Sequence, residues 1–574
     1  MKRRTQLLFL FLILTCILQG EKKPNVLFIA IDDLNDWVGC LGGHPQAKTP
    51  NLDRLAASGI LFNNAHCPAP ACNPSRSAVF TGISPHVSGL YRNEQKMRDV
   101  LPNAELLPLT FSKAGYWSGG SGKMLHYIID APSWDEYFPP KKTDNPFPRT
   151  LAPPQRPLSL ARAGSWQYYE TDWGPIHSTD QEYGGDYSVA QWVGEKLSRQ
   201  WTQPFFLACG IYRPHEPWFV PQKYFDLFPI EEIELPPGYL ENDLADLPGS
   251  GARLARNRYF PHIREQKQWK HGIQGYLASI SFADAMLGRV LDALEEGPNA
   301  KDTIVVLWSD HGWHLGEKEH WQKFTLWRAC TRVPLIIRVP EQTLGLVAGT
   351  KSALCSKPVN LLSLAPTLLQ LCGIEPSSKH DGPSLVPLLH NTNAKWNHVS
   401  ITHLQNPGSF GLSDEKWRYI KYTNGDEELY NIQNDPFEWK NLASKQTFAN
   451  VLDQLRKKAP TNFAKLVKPT LENHTSLEWH SLEENIKAPS SNSSGNSFDV
   501  IFINQGGRKV ELFWIDREGA KKPYAQIKPG ESKVQRTRLG AVWMIADATL
   551  SKRNKPLGYF KIDHRDSKAL IPYF

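Results

Sequence analysis

Residues 25–31, NVLFIAI, form an uninterrupted apolar run that ends directly on two carboxylates, Asp32 and Asp33. A short run with no polar alternation reads as a strand covered on both faces, as in a sheet lined by helices. A second such run, Thr303 to Trp308, ends on Ser309-Asp310-His311-Gly312. Between them Thr49 is placed to cap a helix that starts at Pro50, continues through Leu52, Leu55 and Ala56, and stops at Gly59. Strands alternating with helices predict an α/β fold, in which ligands gather at the carboxyl ends of strands. Two distant strands therefore deliver acidic residues to the same kind of place. The oxygens of Asp32, Asp33 and Asp310 are hard ligands that suit Ca²⁺ or Mg²⁺, and His311 adds a nitrogen donor.

The chain has 574 residues, which at about 100–200 residues per domain implies two to four units. Residues 1–20 read as a signal peptide: Lys2, Arg3 and Arg4 precede the apolar run Leu7 to Leu18, which is shorter than the roughly 20 residues of a membrane span. Export to the periplasm or the medium is expected, without stable membrane insertion. Removing this segment takes three basic residues and lowers the net charge from +7 to +4. That mild excess permits anionic substrates, and the absence of basic blocks sets nucleic acid aside. Residues 21–345 are read as the catalytic domain and 346–485 as a smaller α+β subdomain. Within the latter, Trp417 to Lys421 and Glu428 to Tyr430 are strands joined by an Asn424-Gly425 turn. Residues 486–497 (IKAPSSNSSGNS) have linker composition, and 498–574 read as a small β-sandwich with turns at Gly506-Gly507, Glu518-Gly519 and Pro529-Gly530.

The eight cysteines include no CxxC pair, which argues against a zinc cluster. One of them, Cys72, opens Cys72-Asn73-Pro74-Ser75-Arg76, where Pro74 and Ser75 can start a helix. Cys72 then sits where a helix dipole favours negative charge, with Arg76 four residues on. Lys123 closes Gly119-Gly120-Ser121-Gly122-Lys123, but Trp117 stands where a phosphate loop needs its first glycine and Met124 follows the lysine, so that motif is rejected.

These stretches resemble the type I sulfatases of the alkaline-phosphatase superfamily. The resemblance is carried by NVLFIAIDDLN, TPNLDRLAASGILFNNAHCPAPACNPSRSAVFTG, GKMLH, FFLACGIYRPHEPW and SDHGWHLGEKEHWQKFTLW, and by TNGDEELYNIQNDPFEWKNLA in the subdomain. Among branches the chain is most similar to iduronate-2-sulfatases. The resemblance implies a mixed sheet sandwiched by helices and hydrolysis of sulfate esters in sulfated carbohydrates. It implies that a separate maturation enzyme oxidises Cys72 to formylglycine. One hydroxyl of the hydrated aldehyde attacks sulfur, and the second expels sulfate as the aldehyde re-forms. Asp32, Asp33, Asp310 and His311 would bind one Ca²⁺, with residue 72 as a further ligand. Arg76 would stabilise the diol, and Lys123 and Lys323 would bind sulfate oxygens. His126 would act as a base on the second hydroxyl, and His215 would contact sulfate and protonate the leaving oxygen.

The final unit resembles the von Hippel–Lindau β domain, carried by Trp514, Gly519, Tyr524, Pro529, Gly530 and Trp543, with Ala541 where a pocket histidine is expected. It is read as an accessory interaction domain for a protein or glycan ligand. The alternative to a sulfatase is a phosphodiesterase or phosphonate hydrolase of the same superfamily.

Overall fold

The computed structural model describes residues 23–126, 128–140, 171–257, 259–467, 474–483, 486–549, 555–564 and 567–573. The expected signal segment lies outside the described residues. The chain divides into two compact units, with the boundary after Val467.

The first unit is built on eight strands: β1 (Asn25–Ile31), β2 (Ile60–Phe62), β3 (Trp117–Gly122), β4 (Glu136–Phe138), β5 (Phe205–Ile211), β6 (Thr303–Ser309), β7 (Leu335–Arg338) and β8 (Ala353–Cys355). Their order across the sheet is β8-β2-β7-β6-β1-β5-β3-β4. The five strands from β6 to β4 run parallel, whereas β7 is antiparallel to both β6 and β2. The sheet is therefore mixed, as expected. Every residue of β1, β5 and β6 is buried, which is why these segments read as unbroken apolar runs. Alternate side chains serve two cores. Leu27, Ile29 and Ile31 pack on one face with Leu52 and Leu55 of α1 (Pro50–Ala56) and the long α4 (Trp269–Glu296). Val26, Phe28 and Ala30 pack on the other with Val79 and Phe80 of α2 (Cys72–Thr81) and with α5 (Leu364–Leu371). The helix α3 (Asp186–Leu197) joins the first of these faces.

Thr49 does not cap α1 through its side chain. Its hydroxyl accepts instead from Gly39 N–H at 2.8 Å. The carboxylate of Asp284, on α4, takes the amides of Asn51 and Leu52 at 3.1 and 2.8 Å, so a distant helix supplies the cap. The helix ends at Ala56. Gly59 lies beyond it, where a Cβ would come within 2.7 Å of the Ile337 carbonyl.

After α5, a four-stranded antiparallel sheet follows: β9 (Ser400–His403), β10 (Phe410–Ser413), β11 (Trp417–Lys421) and β12 (Glu427–Asn431). The β11–β12 turn has Gly425 at φ 94°, the left-handed conformation that glycine permits. Its cover is α6 (Ala449–Lys458), through Leu452 and Leu455.

The second unit is a β-sandwich. One sheet contains β13 (Thr475–Ser476), β15 (Ser494–Asn504), β18 (Ser532–Leu539) and β21 (Ser567–Ile571). The other contains β14 (Trp479–Ser481), β16 (Val510–Ile515), β17 (Lys521–Ile527), β19 (Val542–Asp547) and β20 (Pro556–Lys561). Val500, Phe502, Leu512, Trp543 and Phe560 fill the space between the sheets. The unit therefore begins before the boundary expected near 485–498, because β13 and β14 pair with β21 and β20. Nor is 486–497 a free linker. Ala488 packs on Ile515, Val542 and Met544, Ser491 is buried, and Ser494 already belongs to β15. This segment bonds strand ends: the backbone N–H groups of Ser491 and Asn492 donate to the Asp516 and Gly540 carbonyls at 3.2 and 2.9 Å, and Ser491 Oγ accepts from Val542 N–H at 2.9 Å.

Candidate active site

Four adjacent parallel strands release the chain at one edge of the sheet. In spatial order β6 leads to Asp310 and His311, β1 to Asp32 and Asp33, β5 to His215, and β3 to Lys123. Facing them, α2 begins at Cys72, two residues earlier than Pro74 and Ser75 suggested, and Arg76 lies one turn on. Ser75 Oγ donates to the Asp310 carbonyl at 2.6 Å and fixes the helix against β6.

Cys72 Sγ is the meeting point. Lys323 Nζ is 3.1 Å away, His311 Nε2 3.3 Å, Lys123 Nζ 3.7 Å and Asp33 Oδ1 3.9 Å. Arg76 is completely buried and binds Asp32 Oδ1 at 2.9 Å and Asp310 Oδ2 at 2.8 Å. Lys123 pairs with Asp32, and Lys323 donates to both oxygens of Asp33 at 2.8 and 3.1 Å. His215 Nε2 lies 3.8 Å from Asp33 Oδ2. Its Nδ1 faces the Glu216 carbonyl at 2.6 Å, which leaves Nε2 toward the site. The His311 ring is set in the same way, with Nδ1 against the Gly312 carbonyl at 3.1 Å. The structure thus brings together Asp32, Asp33, Cys72, Arg76, Lys123, His126, His215, Asp310, His311 and Lys323.

Burial pushes the Cys72 thiol up, but Lys123, Lys323 and His311 outweigh it, and His126 adds a side-chain hydrogen bond, so the thiol is held well below its ordinary value. Burial opposes ionisation of Asp32 as well, yet Lys123 and Arg76 hold its carboxyl below the usual range. Asp310 is pushed up to about 6 by burial, against the pull of Arg76 and His311. Burial pulls the His311 imidazole down, but Asp310 carries it to about 9. His126 is lowered by burial, whereas Asp33 raises His215 despite its burial. A residue at position 72 therefore sits among cations that favour an anion.

One ligand atom each from Asp33, Cys72, Asp310 and His311 lies within 4.8 Å of the others, and Asp32, Asp33 and His215 form an overlapping group. Both groups are buried and rich in carboxylate oxygen, which fits a hard divalent cation.

The supporting residues are less visible in sequence. Nothing local marks Asp186, yet its carboxylate takes Tyr212 and Arg213 N–H at 2.8 and 3.0 Å and orients the turn that carries His215. Arg213 and Trp173 are both buried, and Arg213 Nη1 donates to the His215 carbonyl at 2.7 Å. His320 and His314 also serve position rather than chemistry: His320 Nε2 holds the Lys323 carbonyl at 3.0 Å, and His314 Nε2 meets Thr325 Oγ1 at 2.6 Å. Around Lys323 the backbone is left-handed at Lys318, Glu319, Gln322 and Phe324, as it is at Asp33. Such clustering of unfavourable φ marks a loop whose shape is imposed by its neighbours.

The profile of the sulfatase family matches residues 24–374, that of the N-sulphoglucosamine sulphohydrolase C-terminal domain matches 316–464, and that of the VHL beta domain matches 489–557. A "Sulfatase" of Formosa agariphila is 39% identical over 478 residues, spanning 80% of this chain and 92% of the relative. Iduronate 2-sulfatase of Homo sapiens is 30% identical over 427 residues, spanning 66% and 76%. Among solved structures, a 2-O GAG sulfatase aligns with TM-score 0.58 and 23% identity over 76% of this chain and 91% of that one. Phosphonate monoester hydrolase of Agrobacterium radiobacter aligns with TM-score 0.62 and 19% identity over 76% and 94%. At these identities the two structures share the fold.

Proposed function

The chain belongs to the sulfatase family, and from that premise we propose that it is an exported enzyme that removes sulfate from sulfated glycans, with 2-O-sulfate on a uronate as its target. The observation that carries the chemistry is the crowding of Lys323, His311 and Lys123 within 3.7 Å of Cys72 Sγ at the start of a buried helix. The uronate reading is supported by the likeness to iduronate 2-sulfatase.

The reactive form of residue 72 would be formylglycine, whose aldehyde takes up water to give two hydroxyls: one would attack sulfur as the sugar oxygen leaves, and loss of a proton from the other would re-form the aldehyde and expel sulfate. Asp32, Asp33, Asp310 and His311 would hold one Ca²⁺, which supplies Lewis-acid polarisation of sulfate oxygens. The rest falls to the chain's own side chains. Lys123 and Lys323 flank position 72 and bind the oxygens of the transferred group, where their charge is worth most in a water-poor site. His215, biased toward its protonated form by Asp33, is placed to give a proton to the leaving sugar oxygen. His126, kept neutral by burial and bonded to residue 72, is placed to take one from it. Arg76 ties Asp32 to Asp310 and fixes the carboxylate geometry.

The test is sulfate release from sulfated uronate oligosaccharides by the matured enzyme and by Cys72→Ala, with phosphonate and phosphate esters assayed in parallel. Release by the wild type alone supports the proposal. Equal release by both proteins removes residue 72 from the mechanism, and faster turnover of phosphorus esters moves the enzyme to the phosphonate hydrolase reading.

A further inference from the structure

Charge is distributed unevenly along the chain. Residues 468–574 hold 17 Lys and Arg against 12 Asp and Glu, a net of +5, whereas residues 21–467 sum to −1. The whole excess of the second unit is accounted for by residues 521–538. These carry Lys521, Lys522, Lys528, Lys533, Arg536 and Arg538 against Glu531 alone. They form β17, the turn at Gly530 and β18, which are the terminal strands of the two sheets. All of these basic residues except the half-buried Arg538 are exposed.

Two lysine ion pairs here are loose. Lys522 lies 3.7 Å from Asp516 and Lys528 3.7 Å from Glu531, with the lysine side chains 55% and 70% exposed. Such pairs contribute little and exchange readily for another anion. Among these cations Tyr524 is 41% exposed and stands edge-on to Trp543 at 4.9 Å, an aromatic surface of the kind on which a sugar ring stacks. It sits where the β16–β17 register shifts between Leu512 and Phe513. Lysines on edge strands also deter edge-to-edge pairing. That role does not require the entire net charge of a domain to be gathered on one pair of strands.

We propose that the β17–β18 surface binds a sulfated polysaccharide, so that the appended unit is a polyanion-binding module. The choice of a sulfated polymer over other polyanions rests on the sulfatase reading of the first unit. Binding would release counterions and weaken linearly in log K against log salt.

The experiment uses full-length protein on immobilised dextran sulfate, with dextran as the uncharged reference. It compares wild type, the set Lys521→Glu, Lys522→Glu, Lys528→Glu and Lys533→Glu, and a matched set on the first unit, Lys416→Glu, Lys440→Glu, Lys445→Glu and Lys457→Glu. At about 0.1 M salt the first set should bind at least about tenfold more weakly and with a shallower salt slope, and the second like wild type. Glutamine at the same four positions should give a smaller loss in the same direction, with the thermal midpoint of both sets checked against wild type. Equal losses from the two lysine sets would reduce the effect to net charge and overturn the proposal. So would unchanged affinity accompanied by higher oligomers, the mark of edge protection, or tighter binding to duplex DNA than to dextran sulfate at the same salt. Because binding is read without turnover, failure of the sulfatase reading would appear separately, as absence of sulfate release.

Discussion

Replacing Lys323 by Met tests the electrostatic reasoning of the site. The ammonium lies 2.8 and 3.1 Å from the Asp33 oxygens and 3.1 Å from Cys72 Sγ, and the residue is 7% exposed. At such a separation and an effective dielectric near 20 the gross attraction is about 6 kcal/mol. What the variant loses is smaller, because the lysine also escapes its own desolvation. Breaking one side of a buried pair costs about 3–5 kcal/mol, most of it from the stranded carboxylate. Urea denaturation with chelator present should therefore show a loss of about 3–5 kcal/mol. Saturating calcium should restore much of it, since a cation on Asp33 replaces the missing charge. Calcium should also bind the variant more tightly than wild type, because no ammonium competes for that carboxylate. Turnover should fall by about 10²–10³, the scale of one lost donor to developing oxyanion charge. Metal-free stability within about 1 kcal/mol of wild type, or a loss that calcium leaves untouched, would refute the idea that Lys323 and a bound cation share Asp33.

Asp186→Asn should lower kcat/KM about tenfold without changing calcium affinity, because it weakens two charge-assisted bonds to the turn bearing His215; steady-state kinetics beside calorimetry reads both. Asp284→Ala removes the tertiary cap of α1 and should cost about 2–4 kcal/mol in urea denaturation while leaving activity per folded molecule intact. Burial raises Glu317 from 4.5 to about 7. The unfolded chain loses that proton first, so this residue makes stability fall as pH rises from about 4.5 to about 7, by about 3 kcal/mol in all. Glu317→Gln should flatten that part of the stability profile and melt higher than wild type above pH 7, as thermal scans across pH would show.

The parts of the site legible in sequence are those where one physical demand acts on contiguous residues. The segments 25–31 and 303–308 announce their strands because both faces are buried, and a pair of acids at a strand end is conspicuous beside them. Sheet order is different. That β5 lies beside β1 and β3 beside β5, and so bring His215 and Lys123 to the acids, is a property of topology with no local trace. The cap of α1 is hidden from the local sequence for the same reason: Thr49 is a good local candidate, but Asp284 reaches the amides from more than two hundred residues away. Arg213 shows the limit of residue type as a guide, since a buried guanidinium bonding a carbonyl and an exposed one awaiting a carboxylate are spelled alike. Residues 486–497 mislead through composition. Serine and asparagine suit both a flexible tether and a segment that bonds strand ends, and only the neighbouring strands decide between them.

The charges at the strand ends explain how so polar a cluster tolerates burial. Asp32, Asp33 and Asp310 are matched by Arg76, Lys123 and Lys323, each within hydrogen-bonding reach of a carboxylate of opposite sign. Formally the six cancel. A divalent cation added to this set leaves two positive charges without partners in a region that water hardly enters, and that imbalance is costly until an anion arrives. Affinity for a sulfate ester would then be a property of the loaded site rather than of any single lysine. The same lysines that neutralise the acids would be freed by such a cation to face the substrate. This accounts for both lysines lying beside residue 72 rather than on the far side of the carboxylates, where they would balance charge equally well but could not reach a transferred group.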